Sequence, residues 1–133
     1  MRRALYFLLI FMPFVSCKRK APNLALDASS QFKFTGIFET RDSDNLKGSI
    51  DLIINDGYYH CSSSLPFGRG AGKVEVNSFS INFIDTLFFP IPTIWGPSYV
   101  LSGEHSYRFD GNHLLIWKEK NIGSVHYKLK LAK

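Results

Sequence analysis

Few residues in this chain have the type and spacing that metal or cofactor chemistry needs. The four histidines are His60, His105, His113 and His126. No two of them stand at a tight ligand spacing, and no Cys-x-x-Cys pair or His-Glu helix motif accompanies them. The sequence therefore predicts neither a metal site nor a cofactor.

The parts of a catalytic site are equally scattered. Ser62-Ser63-Ser64 lies at a predicted strand end and lacks a Gly-x-Ser-x-Gly elbow. Asp85, Glu104 and Glu119 can act as paired carboxylates only if the fold brings them together. We therefore expect a protein that is not an enzyme.

A glycine-rich stretch at 68–73 has the composition of a phosphate-binding loop. The Walker pattern needs a glycine and a Ser or Thr where this chain has Phe67 and Val74. No helix is predicted after it to present its N-terminus to a phosphate. We expect a flexible loop joining two strands.

An apolar stretch at 87–100 is interrupted by Pro90, Pro92 and Pro97, which exclude a central strand. Its side chains must be buried against something. One interpretation is a plug over the end of the domain, and the other is the mouth of an apolar pocket or a patch for a partner or a bilayer. The candidate ligand- or partner-binding residues are Phe88, Phe89, Ile91, Ile94 and Trp95.

Strands are the elements that must position these side chains. From Gln31 onward apolar residues recur at every second position, as in Val125, Tyr127 and Leu129, and this is the period of a half-buried strand. Phe79, Ile81 and Phe83 are expected to share one such face. The predicted strands lie near 31–39, 47–55, 58–64, 72–77, 79–85, 98–109, 112–119 and 124–131.

Two Asp-Gly pairs predict two-residue hairpin turns between these strands. A turn at Asp56-Gly57 sets Leu52 opposite Cys61 on the apolar face and places His60 on the solvated face. His126 is expected on the solvated face of the last strand. A turn centred on Asp110-Gly111 sets Phe109 opposite Asn112, Tyr107 opposite Leu114 and His105 opposite Ile116. Both registers sort apolar from polar residues.

The predicted fold class is all-β, a small antiparallel meander of about eight strands. It either closes into a barrel, lipocalin-like in size and topology by analogy only, or curls into a sandwich. We expect closure, because closure removes the exposed strand edges.

The charge argues against a nucleic-acid partner. The formal charge of the 133-residue chain is +5, but five of its 16 Lys and Arg lie in the first twenty residues. From Gln31 onward there are 11 Lys and Arg against 10 Asp and Glu. The part that can fold has almost no net charge to attract phosphates.

The N-terminus has the pattern of a secretory signal. Arg2 and Arg3 precede the apolar run at 4–15, which is shorter than the roughly 20 residues of a membrane span, and Ser16-Cys17 follows. Phe14-Val15-Ser16-Cys17 resembles the lipobox of bacterial lipoproteins in the looser form of small Bacteroidetes lipoproteins, with Phe14 in place of the usual Leu. The resemblance implies cleavage before Cys17, diacylglycerol on its sulfur and a fatty acyl chain, such as palmitate, on its amino group.

The expected organisation is a signal peptide at 1–16, a lipidated flexible tether at 17–30 and a barrel domain at 31–133. The basic run Lys18-Arg19-Lys20 follows the cysteine, whereas surface-exported lipoproteins of that type carry acidic residues there. We expect a lipid-anchored protein of the cell envelope, on the periplasmic side of the outer membrane.

The expected role is non-catalytic: binding of a small apolar ligand, or envelope maintenance. The alternative is a protein-binding module such as an inhibitor of an envelope-degrading enzyme. The segment Ser102-Gly103-Glu104-His105-Ser106-Tyr107 resembles the Ser-Gly-x-x-Tyr loop of small lysozyme-inhibitor lipoproteins, with the tyrosine one residue later. The membrane is the expected partner through the lipid.

Overall fold

The described part of the chain is a closed antiparallel β-barrel. A computed structural model describes residues 22–66, 68–86 and 101–133. Each strand pairs with the next along the chain, and β1 pairs with β8 to close the barrel, which confirms the predicted fold class. The strands are β1 (Phe32–Arg41), β2 (Lys47–Asn55), β3 (Tyr58–Ser63), β4 (Arg69–Val76), β5 (Ser80–Asp85), β6 (Gly103–Phe109), β7 (His113–Glu119) and β8 (Ser124–Leu131).

The alternation of residue types sets which side chains point inward. In β8, Val125, Tyr127 and Leu129 are buried, whereas Lys128 and Lys130 between them are exposed. The same alternation in the other strands produces one continuous core inside the barrel. Its fully buried large side chains include Phe34, Phe38, Leu52, Ile54, Ile81, Phe83, Leu101, Leu114, Ile116 and Tyr127.

The first predicted hairpin is confirmed. Leu52 pairs with Cys61 and Ile54 with Tyr59. The φ angles of Asp56 and Gly57 are 50° and 76°, as the two central residues of a type I′ turn require. Here the turn residues alone determine the register.

The register predicted for the second hairpin is wrong by two residues. Phe109 pairs with Leu114, and Tyr107 with Ile116. The central residues of the turn are Gly111 and Asn112, because Asp110 occupies the preceding position and its carboxylate accepts hydrogen bonds from the backbone N–H groups of Asn112 (2.9 Å) and His113 (2.6 Å). A shift of two residues keeps every side chain on its predicted face, so alternation could not reveal it.

The glycine-rich stretch is part of a strand, which corrects the loop expected at 68–73. Residues 69–72 belong to β4, where Gly70 pairs with Cys61 and Gly72 with Tyr59. A Cβ atom at Gly72 would overlap the carbonyl oxygen of Ile84 on the neighbouring strand. The glycines therefore let neighbouring strands approach closely inside a small barrel.

The boundaries around β5 and β6 also differ from expectation. Phe79 belongs to the turn between β4 and β5 and is 77% exposed, rather than sharing the buried face of Ile81 and Phe83. Asn77 holds this turn, because its side-chain oxygen accepts hydrogen bonds from the backbone of Phe79 (3.1 Å) and Ser80 (2.8 Å). β6 begins at Gly103, and residues 98–100 of the predicted strand lie outside the described residues.

Residues 22–30 dock on one end of the barrel, in contrast to the flexible tether expected there. The backbone N–H of Leu24 donates to Phe109 (2.7 Å), and the carbonyl of Ala28 accepts from Gly57 (2.8 Å). Leu26 is buried within the core cluster. We call this end, with the β2–β3, β4–β5 and β6–β7 turns, the hairpin end. Burial of Leu26 and the backbone hydrogen bonds of Leu24 and Ala28 together oppose the entropy lost in ordering the segment.

Candidate functional site

A chain of packed aromatic rings runs through the barrel interior. The ring centroids of Phe38 and Tyr127 lie 6.1 Å apart, and those of Tyr127 and His105 lie 6.0 Å apart. His105 contacts Phe83 at 5.7 Å, and Phe83 contacts Tyr59 at 4.8 Å. These distances are those of favourable edge-to-face or tilted packing. Rings from five of the eight strands thus contact one another inside the barrel.

His105 is buried in that chain as a neutral ring. Its Nδ1 lies 2.9 Å from the carbonyl oxygen of Gly103, and since a carbonyl only accepts, Nδ1 carries the proton. Burial, together with the nearby charges of Lys118 and Lys120, lowers the pKa of His105 to about 4, although the hydrogen bond with Gly103 opposes the shift. A histidine held neutral in this way acts as part of the core, as the predicted packed-side position implied.

A polar cluster lies inside the barrel where β5 ends. The hydroxyl of Tyr59 donates to the carboxylate of Asp85 and lies 3.0 Å from the carbonyl oxygen of Leu101. Burial, followed by the adjacent carboxylate, raises the pKa of Tyr59. Burial also raises the pKa of the neighbouring Cys61 thiol to about 11. Both groups are protonated at neutral pH, so this cluster offers hydrogen bonds and no activated nucleophile.

A groove lies on the outer wall of the barrel over β5, β6 and β7. Its volume is about 320 Å³, and it is lined by Ser80, Glu104, His105, Ser106, Trp117, Lys118 and Glu119. Strand pairing places it, because Ser80 pairs with Ser106 and Ser106 pairs with Trp117. We call this feature the outer groove.

The outer groove brings together two of the three carboxylates noted in the sequence. Glu104 and Glu119 line the groove together with the half-buried Trp117. The amino group of Lys118 donates a hydrogen bond to the carbonyl of Ser102 (3.3 Å). Asp85 instead belongs to the interior cluster with Tyr59. The arrangement is an aromatic surface with carboxylates beside it, open to solvent.

Comparison with protein-family models, with curated proteins and with solved structures finds no match. In the described ranges, no helix is long and apolar enough to cross a membrane. Within the same ranges, no group of three or more His, Cys, Asp or Glu side chains could hold a metal ion.

The residues predicted as functional lie mostly outside the described part. Cys17 falls there, and so do the candidate binding residues Phe88, Phe89, Ile91, Ile94 and Trp95.

Of the histidines, His60 is exposed on the outer wall as expected. His126 is partly buried on the outer wall, with its Nε2 2.9 Å from the hydroxyl of Ser124.

Sequence reasoning missed the outer groove as a site. Trp117 follows the buried Ile116 and so lies on the outer face, but a single aromatic residue there gives no reason to expect a groove. The residues that line the outer groove depend on the β5–β6 and β6–β7 registers, and the β6–β7 register was predicted incorrectly. The usable signal was one large aromatic residue, Trp117, on the outer face of its strand.

Proposed function

We propose that the protein is a lipid-anchored lipoprotein of the bacterial envelope whose barrel binds a partner protein through the outer groove. The single observation that supports this proposal is the outer groove, where Glu104, Trp117 and Glu119 lie together on the barrel surface. An eight-stranded barrel is just wide enough either to be filled by side chains or to hold one small ligand. Packing of the described interior favours a role for the surface.

The outer groove has the chemistry of a contact for a basic protein. Tryptophan is the side chain most enriched at binding hot spots, and its ring face attracts Lys and Arg. Glu104 and Glu119 add two carboxylates that complement such a cation, while Lys118 contributes one positive charge at the edge. The partner class is therefore a protein with a basic surface.

An inhibitor of a cationic envelope-degrading enzyme is the form of this proposal that we favour. Ser102 and Gly103, the part of the segment that resembles the loop of lysozyme-inhibitor lipoproteins, directly precede the groove residue Glu104. Lysozymes are basic hydrolases of the cell wall. A lipid on Cys17 would hold such an inhibitor where the enzyme acts.

The proposal predicts that the purified protein slows lysozyme-catalysed lysis of peptidoglycan. Trp117→Ala should weaken binding at least tenfold, since hot-spot truncation costs about 2 kcal/mol or more. Leu115→Ala is the matched control, because Leu115 is exposed on the outer face of the same strand and does not line the groove. Turbidity assays and calorimetric titration measure the two effects.

Two results would contradict the proposal. Unchanged lysis rates at saturating protein would exclude the lysozyme-inhibitor form. Equal affinity of Trp117→Ala and Leu115→Ala for any captured basic partner would exclude the outer groove as the contact.

Binding of a small apolar ligand is the second candidate. The favouring observation is the interior cluster of Tyr59, Asp85 and the Leu101 carbonyl, which could orient one polar group of a ligand at the end of β5. Its expected apolar contacts, at Phe89 and Trp95, lie outside the described residues. Saturable binding of a fluorescent fatty acid, weakened in Tyr59→Phe, would favour this candidate over the first.

A further inference from the structure

The hairpin end carries both the N-terminal segment and a prominent exposed aromatic residue. The side-chain amide of Asn23 bridges two parts of this end: its nitrogen donates to the Ser78 carbonyl (3.4 Å), and its oxygen accepts from the Phe109 backbone (3.0 Å). The chain therefore joins the barrel between the β4–β5 and β6–β7 turns. Phe79, 77% exposed, lies one residue from Ser78.

The length of chain before this point is short. Four residues separate Cys17 from Pro22, and the five steps between these two residues span at most roughly 18 Å when fully extended. An acyl chain on Cys17 would therefore hold the hairpin end within that distance of the lipid surface. The opposite end of the barrel, with Ile122 in the β7–β8 turn, would be farther away.

Phe79 is exposed because its turn holds it outward. Asn77 accepts hydrogen bonds from the backbone of both Phe79 and Ser80, and its amide donates to the Ser80 hydroxyl (2.7 Å). Leu24, 44% exposed, lies on the same end and approaches Gly111. Exposed large apolar side chains on an ordered turn are suited to the interface of a bilayer, where they leave water.

The charges near this end complement an anionic lipid surface. Lys18-Arg19-Lys20 directly precedes the docked segment, and Lys33 and Lys130 are exposed where β1 begins and β8 ends. Three described carboxylates, Asp27, Asp56 and Asp110, also lie at this end, and hydrogen bonds lower the pKa values of Asp27 and Asp110, so the net attraction comes from the basic run at 18–20. Basic residues close to anionic headgroups strengthen the attachment that an acyl chain begins.

We propose that the hairpin end rests on an anionic bilayer, with Phe79 and Leu24 inserted at its interface, so that the barrel stands in one fixed orientation. This inference rests on the proposed lipid attachment at Cys17. The β7–β8 turn, the end of β5 and the start of β6 then lie on the side away from the membrane, and Glu104 and Glu119 of the outer groove lie near them. The groove remains accessible to a partner from the periplasm.

The test uses the full chain, processed in bacterial cells and reconstituted into vesicles of phosphatidylethanolamine and phosphatidylglycerol. Phe79→Cys and Ile122→Cys each receive an environment-sensitive nitrobenzoxadiazole label. Ile122 is the matched control, because it is 78% exposed in a turn of the opposite end. Cys61 is buried and Cys17 is blocked by acylation, so the label reacts with the introduced thiol.

We expect lipids with a spin label on the acyl chain to quench the probe at 79 at least threefold more than the probe at 122. Leu24→Cys should give the same result as Phe79→Cys, and it keeps the test decisive if the latter variant folds poorly. Equal quenching at the two ends, on a chain that mass spectrometry shows to be acylated, overturns this inference and leaves the lipid attachment intact. A chain that is not acylated overturns both.

Discussion

At the residue scale, the barrel interior keeps its few reactive groups inert. The Cys61 side chain is 1% exposed, and burial raises its pKa to about 11. Only about one thiol in a thousand is then ionised at pH 8, and the thiolate is the form that reacts. The Cys61 thiol is therefore unreactive because the barrel interior buries it.

This burial predicts slow reaction of Cys61 with Ellman's reagent in the folded, detergent-solubilised protein. Ile122→Cys, exposed on a turn, should add one equivalent that reacts within seconds to minutes, while Cys61 reacts only after denaturant is added. The measurement is absorbance against time at pH 8. Release of two equivalents at similar rates from the folded variant would contradict the burial.

His105 predicts a loss of stability in mild acid. Its pKa is about 4 in the folded protein against an ordinary value of 6.5, so the fold favours the neutral ring. The associated stability is fully present above pH 6.5 and is lost as the pH falls toward 4, by about 3 kcal/mol in all. Asp110, whose backbone hydrogen bonds with His113 and Asn112 hold its pKa at about 2, titrates below this window.

Urea titrations of the wild type and of His105→Phe at pH 4, 5, 6 and 7 measure this effect. The variant keeps an aromatic ring between Phe83 and Tyr127 but has nothing to protonate, so its stability should change less over this range. Parallel stability curves for the two proteins would show that His105 is not the titrating group.

At the element scale, two glycines allow strands of the barrel to pack closely. Gly36 in β1 and Gly72 in β4 each lie mid-strand, and a Cβ atom at either would overlap a backbone carbonyl of the adjacent strand, Lys128 and Ile84 respectively. Backbone cannot move aside as a flexible side chain can. These positions require glycine for space, not for a positive φ.

The expected effect of Gly36→Ala is destabilisation by about 1–3 kcal/mol, since the clash forces β1 and β8 apart. Gly57→Asn is the control: nothing lies within 4 Å of its Cβ, and asparagine tolerates the φ of 76°. The control should stay within about 0.5–1 kcal/mol of the wild type. Thermal unfolding followed by circular dichroism compares the two, and similar melting temperatures would contradict the close approach at Gly36.

At the scale of the whole molecule, the proposed anchor and the docked N-terminal segment act together. A lipid on Cys17 would lie only a few residues before contacts that fix residues 22–30 on the hairpin end. The anchor would thus determine the orientation of the domain as well as its location. A long flexible tether would leave the orientation free.

Processing at Cys17 is therefore a further expected outcome. Mass spectrometry of the membrane fraction should find a mature chain that begins at an acylated Cys17, and Cys17→Ala should accumulate as the unprocessed precursor. A soluble mature chain that begins at another residue would contradict the proposal.

The sequence by itself determined which face of each strand is buried, and one complete register. Alternation with period two is a local property, so Tyr127 could be placed inside before any strand was paired, and the two hairpin turns placed Cys61 and His105 on buried faces. The register of β2 and β3 is also determined locally, because Asp56 and Gly57 adopt the positive φ angles of a two-residue type I′ turn.

Only the tertiary structure decided the features that depend on several strands at once. The β6–β7 register differs by two residues from the predicted one without changing any face. Residues 70–72 form strand because they pair with β3, and at Gly72 a side chain would overlap the backbone of β5. The outer groove exists because three strands align Ser80, Ser106 and Trp117, and residues 22–30 dock because the closed barrel offers Leu26 a place in its core. Such contacts join residues far apart in the chain, and no local pattern encodes them.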